Sequence, residues 1–199
     1  MRRTVLARTA AAAVILAMTA VAMPHASGAD STTGPIPAQG SFTFTTGRGI
    51  LSTWTYNDIK LSTTAPAANV PKNSGTQALI SFPVVARDRS AVFTGGQLRI
   101  TNTKTGEFIN CLNPAVDTTV RVVDCVMPDK TNKRLFAISR IGSVKTLSSL
   151  YSTTSSFTDM DLKIASQEIA DWMNTKLRTN TFSPSVVFAT SELLVTSSR

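Results

Sequence analysis

The sequence predicts a mainly β protein: an antiparallel β-sandwich or flattened barrel of about nine strands, with one α-helix in the C-terminal half. Three observations support this fold class. Short stretches alternate apolar and polar residues, as in SFTFT from Ser41 and QLRITN from Gln97. Turn residues such as Gly95-Gly96 separate these stretches. One stretch alone, SQEIADWMNTKLR from Ser166, has the period of an amphipathic helix.

The first thirty residues have the order of a secretory signal peptide. An uncharged apolar or small-residue stretch, Thr9 to Met23, follows three arginines: Arg2, Arg3 and Arg8. This stretch is shorter than the ~20 residues that a membrane-spanning helix needs, and small residues follow it. We therefore expect a signal peptide at residues 1–29, cleavage after Ala29, and a secreted protein that is extracellular or associated with the cell wall, with no membrane span after cleavage.

His25, the only histidine of the chain, lies within this leader. Its removal excludes Ser-His-Asp and Cys-His catalysis and histidine-ligated zinc or haem. The sequence also contains no G-x-S-x-G elbow and no phosphate-binding loop. We therefore expect no catalytic residues, no metal site and no enzymatic activity.

Carboxylates offer the one remaining route to catalysis. Asp159 and Asp161 are predicted to point the same way on a strand, where they would either share a cation or form the polar start of that strand. A hydrolase that uses carboxylates alone needs two of them across a cleft, and it stays as the second alternative for function.

Removing 29 of the 199 residues leaves 170, which suits one domain with a core. The net charge falls from +8 to +5, because the leader carries three arginines and no acid. The basic residues are scattered, which is typical of a solvated surface; a weak preference for an anionic cell wall is the alternative. No nucleic-acid-binding motif occurs. We expect a flexible lead-in at residues 30–40 and a single β-sandwich domain at residues 41–199.

Two cysteines, Cys111 and Cys125, lie in the part predicted to be exported. An even number of cysteines outside the cytosol indicates a disulfide. EFINCL and TVRVVDCV read as two strands of a hairpin, which would place the two cysteines on facing strands. The sequence therefore predicts a Cys111–Cys125 disulfide.

Other elements follow from local pattern. ILSTWTYNDIKL is predicted to be a strand with Ile50, Ser52, Trp54 and Tyr56 on one side. QALISFPVVA is predicted to be an edge strand or a bulged one, because Pro83 cannot donate a ladder hydrogen bond. GSVKTLSSLYSTTSSFTD, residues 142–159, has no clean period and is predicted to be a long mobile loop, either functional or an idle insertion.

MDLKIA is predicted to be a short strand that leads into the helix. Ser166 is a good N-cap for this helix. Ile169, Met173 and Leu177 recur every four residues, and Ala170 and Trp172 widen their stripe. That stripe is predicted to face the core and not a ligand.

The segments ISFPVVARDRSAVFTGGQLRITN and DLKIASQEIADWMNTKL, followed by a last strand, resemble secreted β-rich domains of actinobacteria. The pattern is similar to the HtaA-type haem-binding domain, whose strands carry a comparable G-G-x-L turn. The resemblance covers residues 41–195 loosely. It implies a β-sandwich fold and haem capture by a tyrosine that a histidine supports.

This chain departs from that pattern at the histidine, since Thr94 stands where a histidine would precede the Gly-Gly step. Tyr151 and Tyr56 are the only tyrosines and hence the candidate haem ligands that the resemblance implies. Tyr151 is the better candidate, because its predicted loop could close over a site. Our hypothesis is that haem does not bind specifically, since a lone phenolate lacks a hydrogen-bond partner.

The expected function is therefore that of a secreted, non-enzymatic β-sandwich protein acting as a cell-surface or extracellular binding or structural module. No cofactor is expected; the expected partner is a cell-wall polymer or another surface protein. The first alternative is a haem or small-ligand carrier of the HtaA type.

Overall fold

The computed structural model describes residues 34–198, so the predicted signal peptide and the first part of the predicted lead-in lie outside the described residues. The strands are β1 (Ile36–Thr46), β2 (Ile59–Thr64), β3 (Ala68–Lys72), β4 (Gln77–Asp88), β5 (Ala91–Thr94), β6 (Gln97–Asn102), β7 (Phe108–Asp117), β8 (Val122–Val126), β9 (Asn132–Arg140), β10 (Ser143–Ser148), β11 (Ser152–Ile164) and β12 (Val187–Ser198). The helices are α1 (Ile50–Tyr56) and α2 (Gln167–Leu177), and one 3-10 turn spans Asn73–Gly75.

Eight antiparallel strands close into a barrel in the order β7-β5-β4-β1-β12-β11-β9-β8, and β8 pairs back with β7. Outside this ring, β6 and β2 continue from β7, β3 pairs with β4, and β10 pairs with β11. The predicted mainly β, antiparallel architecture is confirmed as a barrel. The described residues form twelve strands and two helices, where the sequence predicted about nine strands and one helix. Strand β1 begins at Ile36, before the position where the domain was predicted to start.

Aromatic side chains fill the barrel interior. The alternation predicted for SFTFT is present in β1, where Phe42 and Phe44 are buried. Phe188 lies at the centre of the aromatic cluster, with its ring centroid 6.2 Å from Phe44, 5.8 Å from Trp54 and 5.1 Å from Phe136. This cluster ties β1, α1, β9 and β12 together.

Residues Ile50–Tyr56 form helix α1, so the predicted strand at this position is wrong. Gly49 adopts a left-handed φ of 80° and turns the chain out of β1 into the helix. Ile50 and Trp54 are one helical turn apart, and both pack on the core. A spacing of four residues fits the period of a helix, 3.6, as well as the period of a strand, two. Tyr56, predicted to lie with Trp54 on one side, is instead 88% exposed.

Residues 142–159 form a β-hairpin, so the predicted mobile loop is also wrong. Strand β10 pairs with the first half of β11 from Ser143↔Thr158 to Ser148↔Thr153. Serine and threonine occupy both faces of these strands, which removes the alternation that would have revealed them. The predicted short strand MDLKIA is the second half of β11, after an irregularity at Asp159, whose φ is 53°.

Strand β4 carries the predicted irregularity directly after Pro83, where its registers with both β1 and β5 shift before Ala86. It pairs with β3 up to Ser81 and with β5 from Val84. Pro83 lies between these two segments and is paired with neither β3 nor β5. Its missing N–H therefore breaks no hydrogen bond to either of those strands. The strand has neighbours on both sides, so it is a bulged strand and not an edge.

The disulfide between Cys111 and Cys125 is confirmed, with a Cα–Cα distance of 4.8 Å. Cys111 lies in β7 and Cys125 in β8, and each is 1% exposed. The bond joins the two strands whose pairing closes the barrel. It therefore stabilises the closure itself.

Helix α2 forms as predicted. The Ser166 hydroxyl accepts a hydrogen bond of 3.2 Å from the backbone N–H of Ile169. Ala170, Met173 and Leu177 are fully buried, so the core stripe is present. The stripe anchors the helix beside β7 and leaves its flank, with Trp172, at the surface.

Candidate functional site

A cleft of about 490 Å³ lies between helix α2, the start of β7 and the β8–β9 turn. This size is within the range of small-molecule sites. We call it the α2 cleft, and its lining residues are Glu107, Phe108, Ile109, Asn110, Met127, Pro128, Asp129, Thr131, Lys133, Trp172 and Lys176.

The helical wall of the α2 cleft is set by spacing along α2. Trp172 and Lys176 are four residues apart and therefore share one face of the helix. The core stripe of α2 fixes that face towards β7. The opposite wall begins with Phe108, the first residue of β7, which is 40% exposed. The guanidinium of Arg99 lies 4.0 Å from the Phe108 ring centroid and is oriented by a 3.0 Å hydrogen bond to Asn110.

The β8–β9 turn forms the floor of the α2 cleft. Met127 accepts a backbone hydrogen bond of 2.8 Å from Lys130 and donates one of 2.8 Å to Thr131, which closes the turn. The Asp129 carboxylate accepts hydrogen bonds from the hydroxyl (2.7 Å) and the N–H (3.0 Å) of Thr131. These hydrogen bonds lower the pKa of Asp129 from its ordinary value, and the one from the Thr131 hydroxyl has the largest effect. The carboxylate therefore stays ionised at neutral pH.

The acidic side chains of the α2 cleft have hydrogen-bond or ion-pair partners, whereas its lysines have no carboxylate partner in the described part of the chain. Both acids are engaged: Asp129 by Thr131, and Glu107 by Arg178 at 3.7 Å. Within residues 34–198, no carboxylate lies at ion-pair distance from Lys133 or Lys176. Both ammonium groups therefore remain available for an anionic ligand.

Lys133 also meets the aromatic wall. Its Nζ lies 4.5 Å from the centroid of the Trp172 ring, in a cation–π contact. A carboxylate that enters the cleft therefore meets two cations, Lys133 and Lys176. The apolar body of the same ligand meets Trp172, Phe108 and Met127.

A second groove, of about 640 Å³, lies on the outer face of β5, β7 and β8 beside Val85 and Phe93. Its carboxylates are both engaged. Asp117 accepts hydrogen bonds from the N–H groups of Thr119 and Val120 and from the Ser90 hydroxyl. Asp124 pairs with Arg134 at 3.3 Å. Two carboxylates and no cation of the described chain line this groove, so it offers an anionic ligand apolar contact alone, and the α2 cleft is the better candidate site for such a ligand.

Neither predicted haem ligand lies in the α2 cleft. Tyr56 ends helix α1, and Tyr151 lies in the β10–β11 turn with 82% exposure. A phenol that is exposed to this degree provides no enclosed iron site. The tyrosines therefore do not fit the tyrosine-and-histidine ligation that the family resemblance implies.

Asp159 and Asp161 are not a carboxylate pair facing one ligand. Asp161 accepts hydrogen bonds from Arg140 Nε at 2.8 Å and from its terminal NH₂ at 3.1 Å. Asp159 stands at the irregularity of β11, where the strand alternation is broken. Arg140 thus pairs with Asp161, at the position where a shared cation was one of the two alternatives.

We expect this ion pair to make stability depend on pH. The hydrogen bonds from Arg140 lower the pKa of Asp161, so the pair stabilises the fold above the ordinary carboxyl range near pH ~4 and is lost as pH falls through the lowered value. Replacing Arg140 with glutamine should therefore cause a small loss of stability at pH 7 that disappears in acid. Urea unfolding at a series of pH values measures this difference.

Arg134→Gln is the matched control for that experiment, because Arg134 makes a single, longer contact with an exposed carboxylate. A loss in Arg140→Gln that stays constant down to pH ~2, below the ordinary carboxyl range, would show that the Arg140–Asp161 charge pair is not its cause.

Sequence reasoning missed the α2 cleft because it assigned Trp172 to the core stripe. Trp172 is only partly buried, and its ring borders the cleft. Lys133 and Phe108 line the cleft only because the barrel closes, and no local sequence pattern reveals that closure. The one signal in the sequence was Lys176 four residues after Trp172, at the edge of the stripe.

Comparison with known proteins finds similar solved structures but no match by sequence. No family model and no curated protein matches the sequence. The structure is similar to the haem-binding protein HtaB from Corynebacterium glutamicum, at 12% identity and a TM-score of 0.45, covering 81% of this chain and 95% of HtaB. It is also similar to the C-terminal domain of HtaA from the same organism, at 9% identity and a TM-score of 0.40, covering 80% and 98%.

These neighbours agree with the loose resemblance to HtaA-type haem-binding domains from actinobacteria. They also correct one prediction. The sequence predicts no cofactor, and this prediction is contradicted by the similarity to HtaB, which is described as a haem-binding protein.

Proposed function

We propose that this protein is a non-enzymatic carrier or binding module for a flat, amphipathic anion, held in the α2 cleft, and that haem is the first ligand of this class to test. One observation carries the proposal. The cleft combines an aromatic and thioether wall with two lysines that no carboxylate neutralises within residues 34–198. Haem has this combination of a flat apolar body and carboxylates, and the motif resemblance suggests it.

Each wall of the cleft has a distinct task in this proposal. Lys133 and Lys176 bind the carboxylates of the ligand through charge-assisted hydrogen bonds. Trp172, Phe108 and Met127 contact the flat apolar body and exclude water from it. Arg99 lies against Phe108 and limits the rotation of that ring. Both acids remain charged: Arg178 pairs with Glu107 at 3.7 Å, whereas Thr131 hydrogen-bonds to Asp129 without neutralising it, so the carboxylates of the ligand would bind at the lysines and not at the turn.

Iron is not the anchor in this proposal. When bound, haem supplies a redox-active iron, but neither Tyr56 nor Tyr151 lines the cleft. The chain instead acts on the macrocycle and its carboxylates. An iron-free tetrapyrrole is therefore expected to bind about as well as haem does.

Trp172→Ala is expected to weaken binding of both haemin and iron-free protoporphyrin IX by about 10-fold or more, because the aromatic wall is lost. Lys176→Gln should weaken both through the lost carboxylate contact. Absorbance titration of the purified protein gives the dissociation constants. Lys130→Gln is the matched control, since Lys130 lies in the same turn but does not line the cleft.

Tyr56→Phe and Tyr151→Phe complete the test and should bind both ligands as the unchanged protein does. Haemin binding that is saturable and is lost in either tyrosine variant would overturn the proposal and assign the iron to that phenolate.

We also propose that the protein acts outside the cytoplasm, at or near the cell surface. The disulfide between buried cysteines supports this, because such bonds persist in oxidising compartments. A cell-wall polymer or another surface protein would then receive or present the ligand.

A further inference from the structure

The end of β10 and the turn into β11 carry three apolar side chains that no other part of the described chain covers. Leu147 is 74% exposed, Leu150 84% and Tyr151 82%. They fall within five consecutive residues. We call residues 147–151 the hairpin tip. Isolated exposed apolar residues are ordinary, but several that lie together at one turn mark an interaction surface.

The hairpin tip is an ordered turn. The N–H of Ser149 donates a 2.8 Å hydrogen bond to the carbonyl of Ser152. The Ser149 hydroxyl accepts hydrogen bonds from the N–H groups of Tyr151 (3.3 Å) and Ser152 (3.1 Å). These hydrogen bonds satisfy the N–H groups of Ser149, Tyr151 and Ser152, in a turn where Leu150 and Tyr151 are exposed.

The charge around the tip favours an anionic partner. Residues 142–158 contain one lysine, Lys145, and no aspartate or glutamate. Lys145 is exposed on β10, two residues before Leu147. The rest of the hairpin is mainly serine and threonine, whose hydroxyls hydrogen-bond with polar groups or water.

We propose that the hairpin tip docks the protein on an anionic lipid surface, with Leu147, Leu150 and Tyr151 entering the interface and Lys145 facing the headgroups. Among the described strands, β10 pairs with β11 alone, and the tip lies beyond Ser152↔Ser198, the last registered pair of β11 with β12. Tyrosine suits this position, because its ring is apolar and its hydroxyl is polar. This function is independent of the α2 cleft, which the tip residues do not line.

The test uses exported protein recovered from culture medium and vesicles of phosphatidylcholine with or without an equal share of phosphatidylglycerol. We expect co-sedimentation with the anionic vesicles and little with the neutral ones. Leu147→Ser, Leu150→Ser and Tyr151→Ser together should weaken it by about 10-fold or more. Lys145→Gln should reduce the preference for the anionic vesicles.

A matched control removes apolar groups elsewhere: Val70→Ser, Val120→Ser and Val186→Ser, at positions that are 51%, 58% and 45% exposed. This variant should sediment with vesicles as the unchanged protein does. Equal binding by the tip variant, or no vesicle binding at all, would overturn the proposal. So would a dimer in solution that becomes monomeric in the tip variant, since the tip would then be a contact between two copies.

Discussion

Phe188→Ala is expected to lower the free energy of unfolding by about 3–5 kcal/mol. Phe188 is 4% exposed and contacts three aromatic rings, those of Phe44, Trp54 and Phe136. Its removal leaves a cavity that β1, β9, β12 and α1 cannot close without moving. Urea unfolding, followed by tryptophan fluorescence and by circular dichroism, measures the loss.

Val187→Ala is the matched control for this prediction. Val187 is adjacent in β12 but points outward and is 39% exposed, so its truncation should cost well under about 1 kcal/mol. Equal losses in the two variants would contradict the placement of the aromatic cluster inside the barrel.

Replacing Cys111 and Cys125 together with alanine is expected to cost about 3 kcal/mol, the loop-closure value for cysteines 14 residues apart. Alanine is the suitable replacement, because both positions are 1% exposed and a serine hydroxyl would be buried. The bond joins β7 to β8 at the closure of the barrel, so its loss should also increase hydrogen exchange in these strands.

Reduction of the unchanged protein supplies the control for the disulfide. Thiol reductant should lower its stability by a similar amount and leave the double alanine variant unaffected. Two titratable thiols in the unfolded, unreduced protein would contradict the disulfide directly.

Local pattern was sufficient for the parts of the fold in which one face is buried. The strand with Phe42 and Phe44 and the stripe of α2 were predicted because apolar residues recur there with one clear period. Helix α1 was missed because Ile50 and Trp54, four residues apart, satisfy both periods. The β10–β11 hairpin was missed because its hydroxyl residues lie on both faces.

The candidate site was harder to predict than the fold. The disulfide could be anticipated from two cysteines and a hairpin pattern. The α2 cleft could not, because Trp172 and Lys133 meet only when β9 takes its place in the closed barrel beside α2. The tyrosines stood out in the sequence by their rarity, yet the fold leaves both exposed.

The central claim is that the α2 cleft holds a flat amphipathic anion without a tyrosine ligand. A crystal structure of the protein with haemin bound tests it most directly. We expect the macrocycle to lie against Trp172 and Phe108, with its carboxylates at Lys133 and Lys176. A macrocycle seated elsewhere, with its iron bonded to the phenolate of Tyr56 or Tyr151, would contradict it.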